Sequence, residues 1–210
     1  MRTRILLAIA LLLTAVSMAR ADVVYQFSVT TSSIAGTAGS LDFNFNPGPL
    51  TTQAASLDIS NFGGNGSLTG LPMLTGDVAG GPLPSTVTFE NGSAFNDYFQ
   101  GYTYGSSLVF DVRLYGPAVN SPDGVSTSGS TFAFSMFSDA AGMVPALTTD
   151  LTDGFAATVD INLDGSTTVT NYSTDTIVQR VTAVPEPSSL LLLGTGLLGG
   201  IGAIRRRFLN

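Results

Sequence analysis

Alternation of apolar and polar residues is the feature that most constrains the fold of this chain. The clearest run covers residues 155–163, which carry an apolar residue at every second position, and similar runs begin at Val23, Leu41, Leu108 and Phe132. Because successive side chains of a β-strand point to opposite faces, this period of two predicts strands with one buried face. The same region shows no sustained helical period, and its Gly and Pro content disfavours long helices.

Turn sequences separate these runs. Asp164-Gly165 joins two of them, so we predict a β-hairpin over residues 155–171. Residues 63–81 are punctuated by Gly and Pro, and we expect a long loop there, with at most a short strand. Several short strands with one apolar face predict an all-β, antiparallel β-sandwich that is jelly-roll-like, and a barrel is the alternative.

The composition of residues 22–184 excludes several kinds of chemistry. They contain no Cys, His, Trp or Lys, so disulfides, thiolate nucleophiles, His bases and Schiff-base chemistry are excluded. Two arginines, Arg113 and Arg180, face fourteen Asp and Glu, which gives a net charge of 2 − 14 = −12. A surface this acidic should repel phosphates, and we predict no nucleic-acid partner.

The first 21 residues have the order of an export signal. Arg2 and Arg4 precede an apolar run over residues 5–16, and Ala19 and Ala21 are small residues at the spacing read by signal peptidase. We predict cleavage after Ala21. A membrane anchor is the alternative, although this run is shorter than the roughly 20 residues that span a bilayer.

Residues 184–210 have a second composite pattern. Pro185-Glu186-Pro187 is followed by an apolar, Gly-rich run over residues 190–204 and then by Arg205-Arg206-Arg207. The run predicts a single transmembrane helix of about 22 Å, held by arginines on the cytoplasmic side. The chain then divides into a signal peptide (1–21), an all-β body (22–183) and this tail (184–210).

The tail resembles the PEP-CTERM sorting signal, with all three parts in the same order. The resemblance implies that Pro185, Glu186 and Pro187 are recognised by an exosortase, a membrane-embedded protease that cuts the tail. Residues 190–204 would be the membrane segment, and Arg205, Arg206 and Arg207 the stop. It also implies a Gram-negative host that makes extracellular polysaccharide. An uncut tail anchor and a GPI signal are the alternatives. Residues 95–114 resemble a recurrent group of proteins with this tail, which implies no activity.

One candidate metal site begins in the predicted hairpin. Asp160, Asn162, Asp164 and Gly165 match the opening of a calcium loop, because oxygen ligands at alternate positions suit a hard cation. The twelfth position is Asn171 rather than a bidentate Glu. The alternative interpretation is a strand that enters a tight turn with its polar face outward.

Aromatic residues supply a candidate sugar site. Tyr98, Tyr102 and Tyr104, with Phe95 and Phe99, could stack on a carbohydrate ring, and core packing is the alternative. A glycosidase pair among Glu90, Asp97 and Asp111 is a further hypothesis, and solvated turns and strand faces are the alternative. Three glycosylation sequons are interpreted as turn and strand-edge residues: Asn65, Asn91 and Asn171.

The sequence thus predicts an exported, non-enzymatic surface or matrix-associated protein. A carbohydrate-binding module is the alternative, and a hydrolase that uses two carboxylates is a third hypothesis. Expected partners are signal peptidase, exosortase, the membrane and extracellular polysaccharide, with calcium as the only cofactor considered. We expect an inner-membrane precursor that reaches the cell surface or the medium.

Overall fold

The computed structural model describes residues 22–181, which form twelve β-strands. They are β1 (Val23–Thr30), β2 (Ala38–Pro47), β3 (Ser56–Gly64), β4 (Ser67–Thr75), β5 (Val78–Gly80), β6 (Val87–Glu90), β7 (Asp97–Thr103), β8 (Ser107–Tyr115), β9 (Ser130–Phe137), β10 (Phe155–Ile161), β11 (Thr167–Asn171) and β12 (Thr176–Val181). A 3-10 turn (Ser32–Ile34) and a four-residue helix α1 (Pro117–Asn120) complete the elements.

The strands form two six-stranded sheets. The order in the first sheet is β12-β1-β8-β3-β6-β5, and in the second it is β11-β10-β9-β2-β7-β4. Neighbouring strands pair antiparallel throughout both sheets. The body is therefore an all-β antiparallel sandwich, and the prediction of a sandwich rather than a barrel is confirmed.

Burial follows the alternation of the sequence. In β1 every second residue is buried, beginning with Val23, while the residues between them are more exposed. The predicted hairpin over residues 155–171 is also confirmed, because β10 and β11 pair from Ile161 opposite Thr167 to Ala157 opposite Asn171. A local period of two was sufficient to place these strands.

Aromatic rings from both sheets meet in the core. Phe110 of β8 stacks on Phe27 of β1 with ring centroids 4.7 Å apart. It also contacts Phe43 of β2 at 5.2 Å and Phe134 of β9 at 4.9 Å, both with edge-to-face geometry. Such pairs add about 0.5–1.5 kcal/mol each beyond the burial of their area, so these rings hold the two sheets together.

The expected loop over residues 63–81 is wrong, because this region contains β4, β5 and the end of β3. β4 is the edge strand of the second sheet and pairs only with β7. Most of its side chains are exposed, so no buried face imposes an alternating pattern. An irregularity between Thr69 and Met73 accommodates Gly70 and Pro72, the residues that favoured a loop.

Candidate functional site: a carboxyl pair on the outer face of the second sheet

The three tyrosines of the predicted sugar site are buried. Tyr98 is 0% exposed, and Tyr102 and Tyr104 are each 2% exposed. The Tyr98 hydroxyl accepts a hydrogen bond from the Leu83 N–H at 3.0 Å and donates to the Gln100 side chain. Burial raises the pKa of all three phenols. A ring enclosed in the core offers no face to a sugar, so the platform prediction is wrong.

The predicted calcium loop is a tight hairpin. The Asn162 amide donates to Ser166 Oγ at 2.9 Å and to Thr168 Oγ1 at 3.0 Å, while Asp164 accepts from the Ser166 N–H at 2.9 Å. Asp160 lies within β10, ahead of the turn, and accepts a hydrogen bond from Thr131 Oγ1 at 2.6 Å. These contacts close a turn rather than converge on one point. The alternative interpretation, a strand entering a turn, is the one that the structure shows.

The three acidic residues considered for glycoside hydrolysis are not brought together. Glu90 and Asp111 belong to β6 and β8 of the first sheet, where Glu90 accepts from Ser56 Oγ at 2.7 Å and Asp111 from the Asn61 amide at 2.7 Å. Asp97 belongs to β7 of the second sheet. The proposed pairing among them is therefore wrong.

Asp97 instead lies beside Asp42, a residue that the sequence analysis did not single out. Asp42 and Asn44 lie on the face of β2 opposite to the buried Phe43, and Asn44 is the cross-strand partner of Asp97. The Asn44 amide donates to Asp42 Oδ1 at 2.9 Å. Two carboxyl groups and one amide thus form a cluster on the outer face of the second sheet, which we call the outer carboxyl cluster.

The surroundings of Asp97 in the outer carboxyl cluster disfavour its negative charge. The pKa of Asp97 is raised to about 9, first by burial, then by a hydrogen bond with Asp42 and by the negative charge of Asp42. At neutral pH Asp97 therefore keeps its proton in the absence of a counter-cation, because burial and the neighbouring carboxyl group both disfavour its charged form. Such a pair can share a proton or hold a cation.

Two oxygens of the outer carboxyl cluster have no hydrogen-bond partner. They are Asn44 Oδ1 and Asp97 Oδ1, both enclosed, and the Asn44 residue is only 8% exposed. The alternation of Asp42, Asn44 and Asn46 with three apolar residues was visible in the sequence as a polar strand face. It did not indicate that Asp97 would pair with this face.

The processing residues lie outside the part of the chain that the structure describes. This holds for Ala19 and Ala21 and for the tail from residue 182 onward, including Pro185, Glu186, Pro187, residues 190–204, Arg205, Arg206 and Arg207. Within residues 22–181, no helix is both long and apolar enough to cross a membrane. Val24 pairs with Val181, so the first and last described strands are neighbours at one edge of the first sheet.

Comparison with curated proteins and with solved structures gives no match for this chain. A family model does match its end: the PEP-CTERM protein-sorting motif, over residues 183–207. The match begins two residues after Val181, where β12 ends. It covers the Pro-Glu-Pro sequence, the apolar run and the arginines together. The chain therefore carries a PEP-CTERM sorting motif directly after the last strand of its β-sandwich.

Proposed function

We propose that this protein is a non-enzymatic component of the cell surface or extracellular matrix, delivered there by exosortase processing. The observation that carries the proposal is the sorting motif at residues 183–207, which indicates an exported substrate of an exosortase. A signal peptide over residues 1–21 and a membrane helix over residues 190–204 are the remaining parts of this route. In this scheme the folded body stays outside the cytoplasmic membrane while its tail is cut.

The body suits a structural role. Most of its aromatic side chains are buried in the core, although Phe95 is 52% exposed. Its net charge of 2 − 14 = −12 over residues 22–184 favours solubility among acidic or neutral polymers. Association with extracellular polysaccharide rests on the kind of host that the sorting motif implies. The alternative of a tyrosine-based carbohydrate-binding module loses its support, because Tyr98, Tyr102 and Tyr104 are enclosed.

We also infer a jelly-roll arrangement within the sandwich. β1 pairs with β8, β2 with β7 and β3 with β6, as in one long hairpin folded over on itself. Such nesting is typical of jelly rolls. This likeness concerns the fold alone and carries no activity.

Intact mass measurement tests the route. The full chain is produced in a host with an active exosortase, and surface and released material is analysed. We expect a mass that lacks residues 1–21 and the apolar tail. Glu186→Gln and Pro185→Ala should leave the tail uncut, whereas Asp153→Asn, at an exposed turn of the body, should be processed normally. Full-length protein in the cytosol, or normal cutting of both tail variants, would refute the proposal.

Fractionation tests the proposed location and role. The processed protein should remain with cells or with matrix material, and should leave the matrix when the polysaccharide is digested. A protein found only free in the medium, with or without the polysaccharide, would argue against matrix association. Turnover of a glycan panel by the purified protein would refute the non-enzymatic role.

A further inference from the structure

The outer carboxyl cluster lacks a positive partner. Both salt bridges among the described residues are made by Arg113 of β8, one with Asp22, which precedes β1, and one with Asp58 of β3. Neither reaches Asp42 or Asp97. Two adjacent carboxyl groups on the second sheet are therefore neutralised by no side chain, and their negative charge needs a proton or a cation.

Asn44 supplies an independent indication of a ligand. The residue is 8% exposed, its amide NH2 donates a hydrogen bond to Asp42, and its enclosed Oδ1 has no partner. Buried amide oxygens are almost always satisfied, because leaving one without a partner costs free energy. Across the strand from this residue lies Asp97, whose Oδ1 is likewise buried and unpartnered. A shared proton between the carboxyls would leave the Asn44 oxygen unsatisfied.

We propose that Asp42, Asn44 and Asp97 bind a calcium ion on the outer face of the second sheet. Carboxylate and amide oxygens are the ligands that calcium takes in proteins, and its flexible coordination tolerates an irregular set completed by water. Magnesium is less suited, since it demands octahedral geometry and gives up water reluctantly. Described residues include no group of three or more Asp, Glu, His or Cys suited to a metal, so this site has only two carboxylates. We therefore expect an affinity of about 0.1–1 mM, as in extracellular modules.

Calcium titration of the full chain in mild detergent tests the site. After treatment with a chelator, the melting temperature is followed as CaCl2 is added, with NaCl as a control for ionic strength. We expect a saturable rise of about 3–6 °C at tenfold excess over the dissociation constant. MgCl2 at the same concentration should give a smaller rise.

Variants distinguish calcium binding at this site from general attraction of calcium to the acidic surface and from a proton shared by the two carboxyl groups. Asp97→Asn and Asn44→Ala should each weaken the calcium response at least about tenfold, by loss of charge or of an oxygen ligand. Asp160→Asn, on β10 of the same sheet, should retain it. Asp97→Asn also removes a buried carboxyl that must stay protonated in the calcium-free fold at a cost in stability, so we expect it to fold and to melt higher than the calcium-free parent protein.

Three results would overturn the proposal. The first is an absence of any calcium-specific shift in the parent protein, which would leave a shared proton as the occupant. The second is a shift that persists in both Asp97→Asn and Asn44→Ala. The third is an equal loss of the calcium response in Asp160→Asn, which would indicate that calcium only screens the charge of the acidic surface.

Discussion

Replacement of Tyr104 by Phe would show what the tyrosine-rich segment contributes. The Tyr104 hydroxyl lies 2.8 Å from the Ser40 carbonyl oxygen and 3.0 Å from the Phe137 carbonyl oxygen. It thereby links the ends of β2 and β9, which are neighbours in the middle of the second sheet. The ring is 2% exposed and packs edge-to-face on Tyr102 at 5.3 Å. Removing the hydroxyl keeps this packing and deletes only the hydrogen bonds.

The expected loss of stability is about 2 kcal/mol. A buried hydrogen bond contributes about 1 kcal/mol net, and a carbonyl left without its partner costs about 1–3 kcal/mol. These values overlap rather than add in full, because one hydroxyl hydrogen serves two carbonyls. For a body of this size, about 2 kcal/mol lowers the melting temperature by about 4–8 °C.

Urea and thermal unfolding measure this loss, and Tyr172→Phe is the matched control. The Tyr172 ring packs near Phe155 at 6.3 Å, and its hydroxyl makes no hydrogen bond with the described residues. We therefore expect the control to change stability by less than about 0.5 kcal/mol. Equal melting temperatures for Tyr104→Phe and the parent protein, or an equal loss in the control, would refute the assignment of this segment to the core.

Two further predictions concern the second sheet. A Cβ added at Gly39 would collide with the Phe137 carbonyl oxygen and the Tyr104 ring, so Gly39→Ala should cost about 1–3 kcal/mol in urea unfolding. Gly63→Ala, whose Cβ meets nothing closer than 3.8 Å, is the control, and equal costs would contradict the clash. The raised pKa of Asp97, about 9, means that the folded calcium-free protein holds a proton that the unfolded chain releases near pH 4. With a chelator present, the free energy of unfolding should decrease as the pH rises from about 4 to about 9. The same decrease in Asp97→Asn would show that Asp97 is not its cause.

The sequence identified the features that arise from neighbouring residues. The alternation in β1 and the hairpin of β10 and β11 were predicted because a strand with one buried face imposes a period of two on its residues. β4 was not predicted, because most of its side chains are exposed and no buried face imposes alternation on its residues. The sorting motif was equally readable, since its three parts follow one another within residues 183–207.

The position of the chemical groups depended on tertiary structure. Period two places Tyr98 and Tyr102 on one face of β7, but only the packing of the two sheets decided that this face points into the core. Asp42 and Asp97 lie on strands far apart in the chain, and their meeting follows from the pairing of β2 with β7.

The sequence by itself therefore determined several of the strands with one buried face, the sandwich class and the sorting motif, because each is a pattern among residues close in the chain. Tertiary structure alone decided that the tyrosines are core residues and that two acidic side chains share one site, because strand order and sheet packing bring distant residues together.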